Sequence, residues 1–208
     1  MTEPAPDHFE MRRLESLSNT IFGVAMTLLA YDLPKAGEFK NLPGWTDSAG
    51  ELIKRLPDWT DLYHLYSGRL GALMLSFIIA GLFWFSHHSR LARQPHGSRG
   101  VVILNLFFLL SIILLPVSNG LYSSYRLSSA VAVLYGLHLT AIAGLNALLW
   151  WLATRDGKWH PELWAAAFPL MVFLPSTAIA LYVPQYVTYF WFIAFGGLLV
   201  RRLVDRRA

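Results

Sequence analysis

Charged residues are sparse and unevenly placed, and the stretches free of Asp, Glu, Lys and Arg divide the chain. They cover residues 16–31, 70–89, 100–125, 127–154 and 163–200, with lengths of 16, 20, 26, 28 and 38 residues. A hydrocarbon core takes about 20 residues of helix, so each of the first four predicts one membrane span. As one helix the last stretch would reach about 57 Å, nearly twice the bilayer core. Tyr182-Val183-Pro184-Gln185 near its middle supplies a break, because proline cannot donate to the helical ladder. The pattern therefore predicts six spans in one all-α repeat over residues 1–208, near 16–33, 68–88, 100–122, 129–153, 163–182 and 184–200. Residues 34–67 remain as a water-exposed loop. Within it, Leu52, Ile53, Leu56, Trp59, Leu62 and Tyr63 suggest a short amphipathic helix at the membrane interface.

Composition places these helices in lipid. Of 208 residues, 55% are hydrophobic and 14% charged, against about 25% charged in a soluble domain. With no cysteine, disulfide scaffolds, thiolate catalysis and cysteine-ligated metals are excluded. The net charge of +4 suggests nucleic acid until its positions are read. Eleven Lys and Arg fall on the side of the termini: Arg12, Arg13, Arg90, Arg93, Arg99, Arg155, Lys158, Arg201, Arg202, Arg206 and Arg207. The other side receives six, five of them in or beside the long acid-rich loop. This asymmetry predicts a multi-pass plasma-membrane protein with both termini cytoplasmic and no nucleic-acid partner. No small-residue cleavage site follows the first span, which reads as a retained helix.

Candidate chemistry is thin. The phosphate-loop, dinucleotide, zincin and nucleophile-elbow motifs are absent, and no enzyme or cofactor is expected. His87 and His88 point about 100° apart on a helix and have no carboxylate at ligand spacing, so no metal site is expected either. The middles of the spans lack ionisable residues apart from His138, which with Asn146 and Asn105 reads as an interhelical hydrogen-bonding residue. A proton-leak pathway or coupled secondary transporter, with His138 or the His87-His88 pair as relay, is the alternative reading.

The first span differs in kind. Arg13-Leu14-Glu15-Ser16-Leu17-Ser18-Asn19-Thr20 is polar and runs directly into an apolar segment. Residues 20, 24, 27, 28 and 31 recur at three- and four-residue spacing and share a face. Two readings of that face stand: a packing surface with small residues at Thr20, Gly23 and Thr27, or a pore wall. No T-V-G-Y-G segment exists, so a carbonyl-lined potassium filter is excluded.

Arg13, Leu17, Ser18 and Asn19, followed by Phe22, Gly23, Val24, Thr27, Leu28 and Leu29, resemble the signature of the transmembrane protein 175 family. These are the endolysosomal potassium channels and their prokaryotic relatives. Phe83-Trp84-Phe85-Ser86-His87-His88, Asn105-Leu106-Phe107 and Leu115-Pro116 resemble further blocks of that family. Two positions depart from it: Leu17 stands where the family has Phe, and Asn19 where it has Asp. The resemblance implies a prokaryotic homotetramer of six-helix subunits, its first helices lining a central pore with no re-entrant filter loop. It implies a channel for monovalent cations, potassium over sodium, narrowed at Val24, Leu28 and Tyr31, with Thr27 linked to selectivity. It also implies that Arg13, Ser18, Asn19, Trp84, His87 and His88 form a hydrogen-bond network holding the pore helix.

Elementary physics fits that role. A ring of leucines at Leu28 would gate by dewetting, and threonine hydroxyls would replace part of an ion's hydration. Asp32 and the loop would place negative charge at the outer mouth, felt within about 8 Å at physiological salt.

Overall fold

The computed structural model describes residues 8–35, 59–94, 96–154 and 161–196. Among these, six α-helices follow one another: α1 Met11–Leu29, α2 Trp59–Arg93, α3 Arg99–Tyr125, α4 Ser129–Ala153, α5 Pro161–Ala180 and α6 Pro184–Phe192. Four of them, α2, α3, α4 and α5 from Glu162, are long and apolar enough to cross a membrane.

Side-chain pairs fix how the helices run. Asn19 of α1 meets Trp84 near the end of α2, while Pro34, just past α1, meets Tyr66 near the start of α2. His87 of α2 pairs with Asn105, and Ser76 with Asn119, so α3 runs back along α2. Tyr122 stacks on Tyr135 and Ser111 meets His138, which makes α4 antiparallel to α3. Asn146 reaches Ala166, and Thr140 reaches Thr177, extending the same alternation to α5. The proximal end, where α1 starts, thus also holds the end of α2 and the start of α3. Asp32 lies at the distal end.

One expectation needs extending and another adjusting. At the proximal end His8–Glu10 forms strand β1, paired antiparallel with β2 at His96–Ser98, in register His8 with Ser98. The tight return from α2 to α3 is extended there, and the chain entering α1 lies alongside it. Helix α2 starts at Trp59, so residues 59–67, expected in the loop, are its first turns. Pro57 precedes it and no proline interrupts it, so the helix continues for 35 residues, about 52 Å. The remainder of the expected amphipathic segment lies outside the described residues. Between α5 and α6 the chain breaks at residues 181–183, and Pro184 opens α6, where its missing N–H costs nothing.

The core is apolar with a few polar groups, most of them paired across helices. Ser76 Oγ donates to Asn119 Oδ1 at 2.5 Å and lies 2.6 Å from the Tyr135 hydroxyl. Tyr122 shares a hydrogen bond with Thr188, and Trp191 donates to Ser176 Oγ at 3.0 Å. Lipid offers these groups no water, so mutual pairing is their route to satisfaction. His138 and Asn146 behave likewise: His138 lies within hydrogen-bond distance of Ser118 Oγ and Ser111 O, and Asn146 pairs with Ser86. Where α4 packs against α5 the approach is close. A Cβ on Gly136 would stand 2.5 Å from Thr177 Oγ1.

Candidate functional site

Helix α1 has two faces of different chemistry. Met11, Leu14, Ser18, Phe22, Ala25 and Leu29 are buried, at spacings of three and four residues that make one stripe. Phe22 packs against the stacked pair His87 and Phe108, 6.0 Å from each between ring centroids. The opposite face is exposed and carries Ser16, Leu17, Asn19, Thr20, Gly23, Val24, Thr27, Leu28 and Tyr31. Tyr31, at 71%, is the most exposed of its large apolar residues. The exposed residues of α3 at comparable depth are Ile103, Leu106, Phe107, Leu110, Ile113, Leu114 and Val117, every one apolar. Both faces are open, but only the α1 face mixes hydroxyls and an amide with aliphatic groups.

Hydroxyl orientation on that face is specific. Thr27 Oγ1 donates to Gly23 O at 2.8 Å, and Thr20 Oγ1 donates to Ser16 O at 3.1 Å. Each hydroxyl has one proton, and here the helix takes it. What the oxygens offer outward is lone pairs. Such a surface suits a cation and not an anion. Val24 and Leu28 lie one turn apart, and Tyr31 follows three residues later, so the stripe spans about 10 Å of helix rise. The Lys35 ammonium stands 3.5 Å from the centroid of the Tyr31 ring.

The polar residues at the proximal end fall into two layers. In the outer layer Trp84 Nε1 donates to Asn19 Oδ1 at 2.9 Å. The Trp84 and His88 rings stack at 5.6 Å, and His88 Nδ1 lies 3.1 Å from Glu15 Oε1. The inner layer is sealed. His87 Nε2 and Arg90 Nη2 both reach Asn105 Oδ1, each at 2.7 Å, and His87 stacks on Phe108 at 5.3 Å. Ser18 is buried but bonds its own helix, donating to Leu14 O at 2.6 Å. Arg13 is exposed and has no hydrogen bond or ion pair among the described residues. His87 and His88 therefore serve different layers, as their angular separation on the helix requires.

Three members were not singled out by sequence reasoning. Arg90 counts as a topology-setting charge in the sequence, yet it is 1% exposed. Its signal was the three-residue step from His87, which places both on one face opposite Asn105. Glu15 lies one turn before Asn19 on the face toward α2. The third is a latch at the distal end, where Asp32 Oδ2 accepts from Ser123 Oγ of α3. Asp32, expected as free charge at a mouth, is half-buried and turned toward α3 because Ser123 and the side-chain-free surface of Gly120 receive it.

Comparisons with known proteins agree on one lineage. A family model described as endosomal/lysosomal potassium channel TMEM175 matches residues 13–116. A potassium channel of Streptomyces collinus is 29% identical over 154 residues, covering 71% of this chain and 66% of its own length. The endosomal/lysosomal proton channel TMEM175 of Gallus gallus is 29% identical over 124 residues, which are 58% of this chain and 21% of that protein. The chain's matches thus span less than two thirds of either relative. The crystal structure of a lysosomal potassium-selective channel TMEM175 homolog from Chamaesiphon minutus shares the fold, with a TM-score of 0.70. It is 20% identical, and the match covers 93% of this chain and 96% of that one.

Proposed function

The chain belongs to the TMEM175 family, and from that premise we propose a cation channel, potassium over sodium, built as a homotetramer around four copies of α1. All six helices cross the membrane in this reading, with the proximal end cytoplasmic in a prokaryotic plasma membrane. The observation that carries it is the contrast between exposed faces. A lipid-facing helix presents only apolar side chains, as α3 does from Ile103 to Val117, because unpaired polar groups in hydrocarbon are costly. The α1 face presents Asn19, Thr20 and Thr27 among Leu17, Val24 and Leu28, which suits a narrow, partly wetted lumen.

Within that lumen each residue type has its own part. Four Leu28 side chains form the hydrophobic constriction, with Val24 one turn toward the cytoplasm and Tyr31 one turn outward. Such a ring gates by dewetting. Four Thr27 hydroxyls, their protons committed to Gly23 carbonyls, present oxygen lone pairs to a partly dehydrated ion. They are weaker ligands than a carbonyl cage, so discrimination between potassium and sodium is modest. The two proximal layers hold α1 against α2 and α3 and do not touch the ion.

The transporter alternative is less well supported. His138, its candidate relay, is held on both ring nitrogens by α3. His87 is tied to Asn105 and stacked on Phe108. Purified protein in liposomes decides between the two. The channel reading expects uncoupled potassium flux down its gradient, exceeding sodium flux, and Leu28→Ala raising flux while lowering the preference. Slow, saturable exchange that needs a coupled ion, and is indifferent to Leu28→Ala, would replace it.

A further inference from the structure

The end of α1 is not a simple α-helical terminus. After Leu29 the chain tightens into a 3-10 turn at Ala30–Asp32 and then becomes extended at Leu33, with φ −67° and ψ 145°. This changes where Tyr31 points. In a continued α-helix, residue 31 lies 300° around from residue 28, or 60° out of line. In a 3-10 turn side chains three apart eclipse, so Tyr31 moves toward standing directly above Leu28. The orientation of Tyr31 thus depends on keeping a conformation that is poorer in hydrogen-bond geometry than the α-helix.

Two tertiary contacts hold that turn. Tyr66 of α2 donates to Pro34 O at 2.9 Å. On the other side Asp32 Oδ2 accepts the single Ser123 Oγ proton, for which Gly120 O, 2.9 Å from the same oxygen, is the competing acceptor. Asp32 Oδ1 lies close against the bare backbone of residue 120: a Cβ on Gly120 would stand 3.0 Å from it and 3.3 Å from Cγ. The carboxylate is therefore both hydrogen-bonded and seated on bare backbone.

We propose that Asp32 is a positioning residue: by locking its carboxylate onto Ser123 and Gly120 of α3, it sets the last turn of α1 so that Tyr31 continues the face of Val24 and Leu28. The proposal deepens the channel reading and rests on it. Asp32 acts through Tyr31 and not as a free charge attracting cations.

The chain has no cysteine, so a spin label can be placed at one position without background. The full-length protein in nanodiscs is labelled at Tyr31→Cys or, as reference, at Val24→Cys, and distances between labels are measured. A fourfold pore gives two distances at position 24, in a ratio of about 1.4 for neighbouring and diagonal corners. The latch predicts well-defined distances at position 31 as well. Ser123→Ala removes one hydrogen bond to a charged group and should raise the displaced population there about tenfold. Gly120→Ala keeps every polar group but crowds the carboxylate by a few tenths of an ångström, and should shift the distances in the same direction by less. Ser123→Thr retains the hydroxyl and should keep the parent distances, and position 24 should not change in any variant. Unchanged distances at position 31 in Ser123→Ala overturn the latch. So does a displacement in Ser123→Thr equal to that in Ser123→Ala. Absence of the paired distances at position 24 instead contradicts the fourfold pore itself, and the latch falls with it.

Discussion

Trp84 of α2 donates its indole N–H to the side-chain carbonyl of Asn19 on α1, at 2.9 Å, across a separation of 65 residues. Asn19 stands where the family places an aspartate, so the acceptor survives the exchange while the negative charge does not. The same indole stacks on His88, which lies against Glu15 one turn earlier on α1. One aromatic ring thus ties two turns of the proposed pore helix to α2. Trp84→Phe keeps a six-membered ring to stack and removes the donor together with the pyrrole half of the indole. It should cost at least about 1 kcal/mol of stability, the usual worth of one such bond. Thermal unfolding of the purified variant in detergent checks this.

The inner layer is more demanding. Asn105 Oδ1 is the shared acceptor of His87 and Arg90, and all three side chains are nearly or fully buried. Asn105→Leu would strand two donors at once, one of them charged. Leaving a buried donor unpaired costs about 1–3 kcal/mol, and more for a charged one. Arg90→Met removes the charge and keeps much of the stem's packing, so it should be much less damaging than Asn105→Leu. Yield and thermal stability of the two variants, compared side by side, test that ordering.

How far these features were legible follows from what each depends on. The helices show in the spacing of charges, and the α5–α6 break shows in Pro184, because both are properties of the chain read locally. The face of α1 that carries Val24, Leu28 and Tyr31 was visible in its three- and four-residue spacing. What covers the opposite face was not. Arg90 reads as a solvated flanking charge, and only the placement of Asn105 on a neighbouring helix shows why it is buried. Asp32 reads as free charge for the same reason. Its partner Ser123 lies 91 residues away, and the turn that aims it is a departure from α-helix that no periodicity announces. The strand pair at His8–Glu10 and His96–Ser98 is likewise a pairing between distant, unremarkable tripeptides.

Thr27 supplies a prediction of a different kind. Its hydroxyl is exposed, and its proton is spent on the Gly23 carbonyl. Thr27→Val preserves shape and β-branching and deletes the outward lone pairs. Stability and assembly should hardly change, because the lost bond is local and exposed. The potassium-to-sodium permeability ratio should fall severalfold, read from reversal potentials under bi-ionic conditions.

The central claim is that the exposed face of α1 lines the conduction path, and a cysteine scan tests it most directly. Single cysteines are introduced from residue 19 to residue 31 of this cysteine-free chain, and a charged thiol reagent is applied during potassium flux from liposomes. Block is predicted at positions 20, 24, 27, 28 and 31, with none at 22, 25 and 29, which face the protein core. Block without that periodicity, or no block anywhere along α1 while the channel conducts, would contradict the account.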